Sequence, residues 1–183
     1  PSGRWVPVSV EAVTQDGAVR FHRFRQQVTA VRARLSQRPL PAADATMQDV
    51  VFDIRAEGSA GTYPVTAVGW IRNPGPELEL RFDVHAEQLP LDTAFRDALD
   101  EPARKVIEAL NLTGEATADV ECYREPGLDR PTDIRLTGNV RNSKLKFRGF
   151  PYDIENLSGL VKFQSKEKLW RFENLSCRHG AAE

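Results

Sequence analysis

The chain has 183 residues and a mass of 20.5 kDa, the size of one ordinary domain. Its 25 Lys+Arg against 26 Asp+Glu leave a formal charge of −1, so no net basic field exists to hold a polyanion and nucleic acid is not an expected partner. An apolar content of 40% excludes wholesale disorder, and the longest run without charge, Gly58 to Ile71, is too short and too polar to span a bilayer.

No signal-peptide pattern opens the chain, which starts at Pro1 in mid-pattern and stops at Glu183 just after an apparent strand. It reads as one fragment, 1–183, of a larger repetitive protein. Cys122 and Cys177 stand apart from any C-x-x-C spacing and from His at ligand spacing. Neither a zinc site nor a redox motif is expected, and no cofactor.

Alternation with period two runs through most of the chain and predicts about eleven strands: 6–14, 17–24, 28–36, 47–57, 62–72, 76–87, 113–123, 131–140, 143–149, 154–164 and 168–178. Early in the chain, Val50, Phe52, Ile54 and Ala56 alternate with Val51, Asp53 and Arg55. In the clearest strand, Leu78, Leu80, Phe82, Val84 and Ala86 share one face while Glu79, Arg81, Asp83, His85 and Glu87 share the other. Strands of this kind form antiparallel sheets with one dry face and one wet face. Gln15-Asp16-Gly17, Asn73-Pro74-Gly75-Pro76, Glu125-Pro126-Gly127, Arg141-Asn142-Ser143 and Gln164-Ser165-Lys166 are expected as the turns between strands. Ser36 to Thr46, with Pro39 and Pro41, is expected as the long loop.

Between 92 and 110 the period changes. Phe95 and Leu99, then Val106, Ile107 and Leu110, fall at helical spacing. Pro102 fits the start of a helix and not its interior, with Asp100 or Glu101 as cap, so two short helices meeting near Asp100 are expected. Their apolar stripe must cover part of the sheet.

After the insert, Ala116, Ala118, Val120 and Cys122 alternate with acidic residues and Thr117. Ile134 with Leu136, and Leu145 with Phe147, continue the pattern. An offset of 126 residues pairs Val8 with Ile134, Val10 with Leu136, Val19 with Leu145, Val28 with Ile154, Val31 with Leu157 and Leu35 with Val161. A repeated hairpin unit over 6–57 and 131–178 follows, and repeats that cannot bury their apolar face alone point to an elongated sheet.

Three constellations invite a chemical reading. Asp83, His85 and Glu87 could hold a metal or work as an acid/base pair, but Arg81 and Glu79 continue the same stripe and no nucleophile or phosphate-loop motif accompanies them. A solvated strand face explains them, and no enzymatic activity is expected. The basic run Arg20-Phe21-His22-Arg23-Phe24-Arg25 places its rings opposite its charges, which argues against base stacking. Asn111-Leu112-Thr113, Asn156-Leu157-Ser158 and Asn174-Leu175-Ser176 match the glycosylation sequon, yet turn chemistry beside a strand explains each. The two cysteines are expected four inter-strand steps apart, about 19 Å, and unpaired.

Two stretches carry a family resemblance. Phe82-Asp83-Val84-His85-Ala86-Glu87-Gln88-Leu89-Pro90-Leu91-Asp92, followed by Phe95-Arg96-Asp97-Ala98-Leu99, resembles the strand, corner and helical insert of the AsmA-like family of the bacterial envelope. Gly149-Phe150-Pro151-Tyr152-Asp153-Ile154-Glu155-Asn156-Leu157-Ser158-Gly159-Leu160-Val161 is similar to that family's recurring hairpin, and Trp170 to Gly180 continues it. The resemblance covers about 78 to 180 and transfers no catalytic residue.

It implies a mainly β fold, a long curved antiparallel sheet or repeating β-groove with the two-helix insert. It also implies a periplasmic protein, anchored in the inner membrane through parts absent here, that moves phospholipid toward the outer membrane. The expected lipid-groove lining is Val50, Phe52, Ile54, Leu78, Leu80, Phe82, Val84, Leu136, Leu145, Phe147, Val161 and Phe163. The covering helices carry Phe95, Leu99, Val106, Ile107 and Leu110. A β-sandwich module binding glycan or protein, and a purely structural envelope spacer, are the competing expectations.

Overall fold

A computed structural model describes residues 10–20, 25–38, 50–147 and 153–178. Trp5, Phe21 to Phe24, Pro39, Pro41, Arg148 to Tyr152, His179 and Gly180 lie outside the described residues, with the expectations that fall on them.

Nine strands follow one another in a single sheet: β1 Glu11–Arg20, β2 Gln27–Gln37, β3 Val51–Ala60, β4 Tyr63–Arg72, β5 Glu79–Pro90, β6 Thr113–Arg124, β7 Asp133–Leu145, β8 Ile154–Gln164 and β9 Leu169–Arg178. Their spatial order is their chain order, β1 through β9, and every pairing is antiparallel. Two helices, α1 Thr93–Ala98 and α2 Glu101–Leu110, interrupt the meander between β5 and β6. The mainly antiparallel β fold with its short helical insert matches the sequence-based expectation.

Side-chain capping fixes the insert. Asp92 Oδ1 accepts from the Phe95 N–H at 2.8 Å and Asp100 Oδ1 from the Ala103 N–H at 3.2 Å, so each helix begins on an aspartate. Pro102 sits in the first turn of α2, where its missing N–H costs nothing. Asn111 ends α2 in the left-handed region, φ 43°.

Eleven expected strands become nine, because two expected turns are bulges. Gln15-Asp16-Gly17 lies within β1, and Arg141-Asn142-Ser143 lies within β7. Asn142 takes a left-handed backbone at φ 47°, which suits a bulge as well as a turn, whereas Asp16 and Gly17 take no positive φ. Here the flanking strand carries straight on.

The offset of 126 also relates the two pairings. Thr14–Ala33, Gly17–Val31 and Val19–Val28 in β1–β2 become Val140–Gly159, Ser143–Leu157 and Leu145–Ile154 in β7–β8, with register shifts at the same places. Ala30 and Asn156, equivalent under that offset, share a left-handed backbone at φ 50° and 52°.

Further bulges cross the sheet beside the helices, at Gln88 (φ 53°) in β5, Gly114 in β6, Asn142 in β7, Asn156 in β8 and Asn174 (φ 51°) in β9. Such bulges bend and twist a sheet locally. All three sequon asparagines therefore occupy the left-handed region, Asn111 at a helix end and the other two inside strands.

Burial concentrates where the helices meet this line of bulges. Leu91, Ile107, Leu112, Ala116, Val140 and Leu157 are buried together, with Phe95, Leu99, Leu110, Leu145, Ile154 and Val161 packed against them. A smaller cluster of Val28, Val31 and Ala60 closes the same end of β2 and β3, and the Arg25 N–H donates to the Ala98 carbonyl at 2.7 Å. Cys122 in β6 and Cys177 in β9 are separated by two strands, not the expected three, because 131–140 and 143–149 form one strand. Three steps of ~4.8 Å still leave about 14 Å, too far for a disulfide.

Candidate functional site

The strand register assembles a continuous row across the whole sheet: Thr14, Ala33, Ala56, Ala67, Val84, Val120, Leu136, Phe163 and Trp170. Directly paired residues of antiparallel strands point the same way, so the row lies on one face. The adjacent row is Leu35, Ile54, Gly69, Phe82, Cys122 and Ile134. On the other side run Gly58, Val65, Ala86, Ala118, Gly138, Val161 and Phe172. The Phe163 and Trp170 rings meet at 4.7 Å near the β9 edge.

Of the expected lining, Phe52, Ile54, Leu80, Phe82, Val84, Leu136 and Phe163 sit half-buried on this face. Val50 and Leu78 precede β3 and β5 and are also half-buried. Val161 lies on this face too and, like Leu145, packs against the cluster beneath the helices. Phe147 does not join the face: it lies past the end of β7 and is 44% exposed. Val65, Ala67 and Ile71 of β4 belong to the face although they were not expected there. Val68 and Trp70 make β4 apolar on both sides, which hides its alternation.

Among the expected covering residues, Phe95, Leu99, Ile107 and Leu110 pack onto the core, while Val106 is half-buried outside that cluster. The helices thus close one end of the face. At the other end the last row, from β2 to β6, is Gln37, Phe52, Ile71, Leu80 and Arg124.

The opposite face is charged. Glu11–Arg34, Asp53–Arg38, Glu57–Arg32 and Glu173–Lys162 pair across strands. The Arg38 guanidinium grips Asp53 through two hydrogen bonds of 2.8 and 2.6 Å and holds that carboxyl below its ordinary range. A 630 Å³ depression there runs between the Val13, Arg34, Arg55 and Val68 row and the Arg32, Glu57 and Thr66 row.

His85 lies on the same charged face. Its Nδ1 is 2.6 Å from Asp119 Oδ1 on the neighbouring strand and its Nε2 is 3.5 Å from Glu87. The bond to Asp119, with a smaller effect from Glu87, raises the imidazole's pKa above its ordinary value. Asp83 stands opposite Glu121 instead of joining His85. Among the described residues, no group of three or more His, Cys, Asp or Glu is arranged to hold a metal ion. Nor is any helix there long and apolar enough to cross a membrane.

No family model, curated protein or solved structure matches this chain.

Proposed function

We propose that this chain is a non-enzymatic segment of an AsmA-like envelope protein, and that its apolar sheet face binds or conducts phospholipid acyl chains between bacterial membranes. The observation that supports this reading is the apolar row from Ala33 to Trp170, left without a second sheet over it among the described residues. Among the described residues, the helices cover one end of it. An uncovered apolar face of this extent normally marks a binding surface.

Acyl chains suit it because each buried CH₂ contributes about 0.8 kcal/mol without any directional contact. Eight inter-strand steps of ~4.8 Å span about 38 Å, more than the ~15 Å of one leaflet's hydrocarbon. A chain can therefore lie across the strands with its headgroup in water. The periplasmic location and inner-membrane anchorage belong to the same proposal and rest on the family resemblance.

Native mass spectrometry of the protein purified from a bacterial envelope tests it. Phospholipid should accompany the wild type and be lost from a folded Leu80→Asp variant, in which a carboxylate enters the apolar face. Lipid-free wild type would refute the proposal.

A further inference from the structure

We propose that the uncapped end of the apolar face carries an anion site, formed by Arg124 and Arg130 around Gly127, that takes the phosphate or carboxylate head of an amphiphile. The inference rests on the acyl-chain reading above and adds what holds the other end of the molecule.

Arg124 is the last residue of β6 and pairs with Leu80, which places a cation in the row that ends the apolar face. Of the described arginines, seven have a carboxylate within ion-pair distance and nine, Arg124 among them, have none. Arg32, Arg34, Arg38, Arg72, Arg104, Arg135 and Arg171 each lie within 4.0 Å of a carboxylate. No such pair involves Arg124 or Arg130 among the described residues, although Glu125 and Asp129 share their loop.

One Arg124 Nη2 donates to the Gly127 carbonyl at 3.4 Å. Its Nε is shut away from solvent with no hydrogen-bond partner. A buried guanidinium N–H without an acceptor is costly, and an anion would satisfy it. Arg130 packs over the same glycine, and a Cβ added to Gly127 would lie 3.3 Å from Arg130 Cγ and 3.4 Å from its Nε. Two guanidinium groups thus converge on one loop at the mouth of an apolar surface. Guanidinium forks match phosphate and carboxylate oxygens in pairs.

The 183-residue chain is titrated calorimetrically with dodecyl phosphate, dodecanoate and uncharged dodecyl maltoside, all as monomers, and with inorganic phosphate. Both charged amphiphiles should bind wild type at least about tenfold more tightly than the maltoside, the scale of one hydrogen bond to a charged group. Arg124→Gln should erase that margin while leaving maltoside binding unchanged, and Arg124→Lys should keep part of it. Circular dichroism confirms that each variant folds. If Arg124→Gln does not fold, Arg130→Gln carries the test and should lose part of the margin.

Equal binding of charged and uncharged amphiphiles by wild type would overturn the anion site and leave the acyl-chain reading standing. So would a margin unchanged in a folded variant. Failure of all three dodecyl compounds to bind overturns both. Inorganic phosphate bound alone, and lost in Arg124→Gln, would overturn the inference by assigning the cations to free phosphate.

Discussion

Replacing Gly69 by alanine adds one methyl group to the centre of the apolar face. Gly69 pairs with Phe82, and the added Cβ would overlap the Arg81 carbonyl oxygen and come within 2.6 Å of the Phe82 ring. Both neighbours belong to the paired strand, and the carbonyl oxygen is backbone, so relief requires β4 and β5 to move apart as well as a shift of the ring. Overpacking of this kind costs about 1–3 kcal/mol. At 2–4 °C per kcal/mol for a chain of this size, the melting temperature should fall by about 2–12 °C.

Gly138 provides the internal control. It lies on the same face in β7, yet its added Cβ would meet Val161 O at 3.6 Å and Leu136 Cδ2 at 3.9 Å, ordinary contact distances. Gly138→Ala restricts the unfolded chain and should gain about 0.4–1 kcal/mol. Thermal and urea melts of the two variants decide the matter. A Gly69→Ala protein as stable as wild type, or a Gly138→Ala protein that falls as far, would refute the argument from register.

Three further outcomes are expected. Ala30→Asn, which copies Asn156 at the equivalent left-handed position, should raise stability in urea by about 1 kcal/mol; a loss would contradict the shared bulge geometry. Because Asp119 and Glu87 raise the pKa of His85, their contribution is complete below about pH 6.5 and disappears as pH rises through the higher folded value. At 41% side-chain exposure it amounts to a few tenths of a kcal/mol at most, and Asp119→Asn should flatten that stretch of the stability–pH curve. Iodoacetamide should label exposed Cys177 well before Cys122, whose thiol pKa is raised by burial and secondarily by Asp83, and denatured non-reduced protein should yield two thiols.

The helical insert was legible down to its junction because its signals are local. Asp92, Asp100 and Pro102 act within one turn of where they stand. Strand faces were legible wherever polar residues alternate cleanly, as in β5, and failed in β4, where Val68 and Trp70 occupy the charged side. Asn142 was misplaced into a turn because residue chemistry records a backbone angle and not whether the chain reverses, and Asp16-Gly17 was misplaced although neither residue takes a positive φ. The His85–Asp119 bond and the buried Arg124 Nε without an acceptor could not be foreseen, since each depends on which residues a strand register sets side by side.

In a sheet whose spatial order equals its chain order, every strand pairs with its neighbours in the chain. Each hairpin can form beside the one before it, and the longest detour is the insert between Pro90 and Thr113. Contacts confined largely to neighbouring strands let each strand add to the one before it. They also mean that no strand locks another across the molecule. Opening can begin at β1 or β9 and travel inward, so amide hydrogen exchange should be slowest in β5 to β7 and quicken step by step toward both edges.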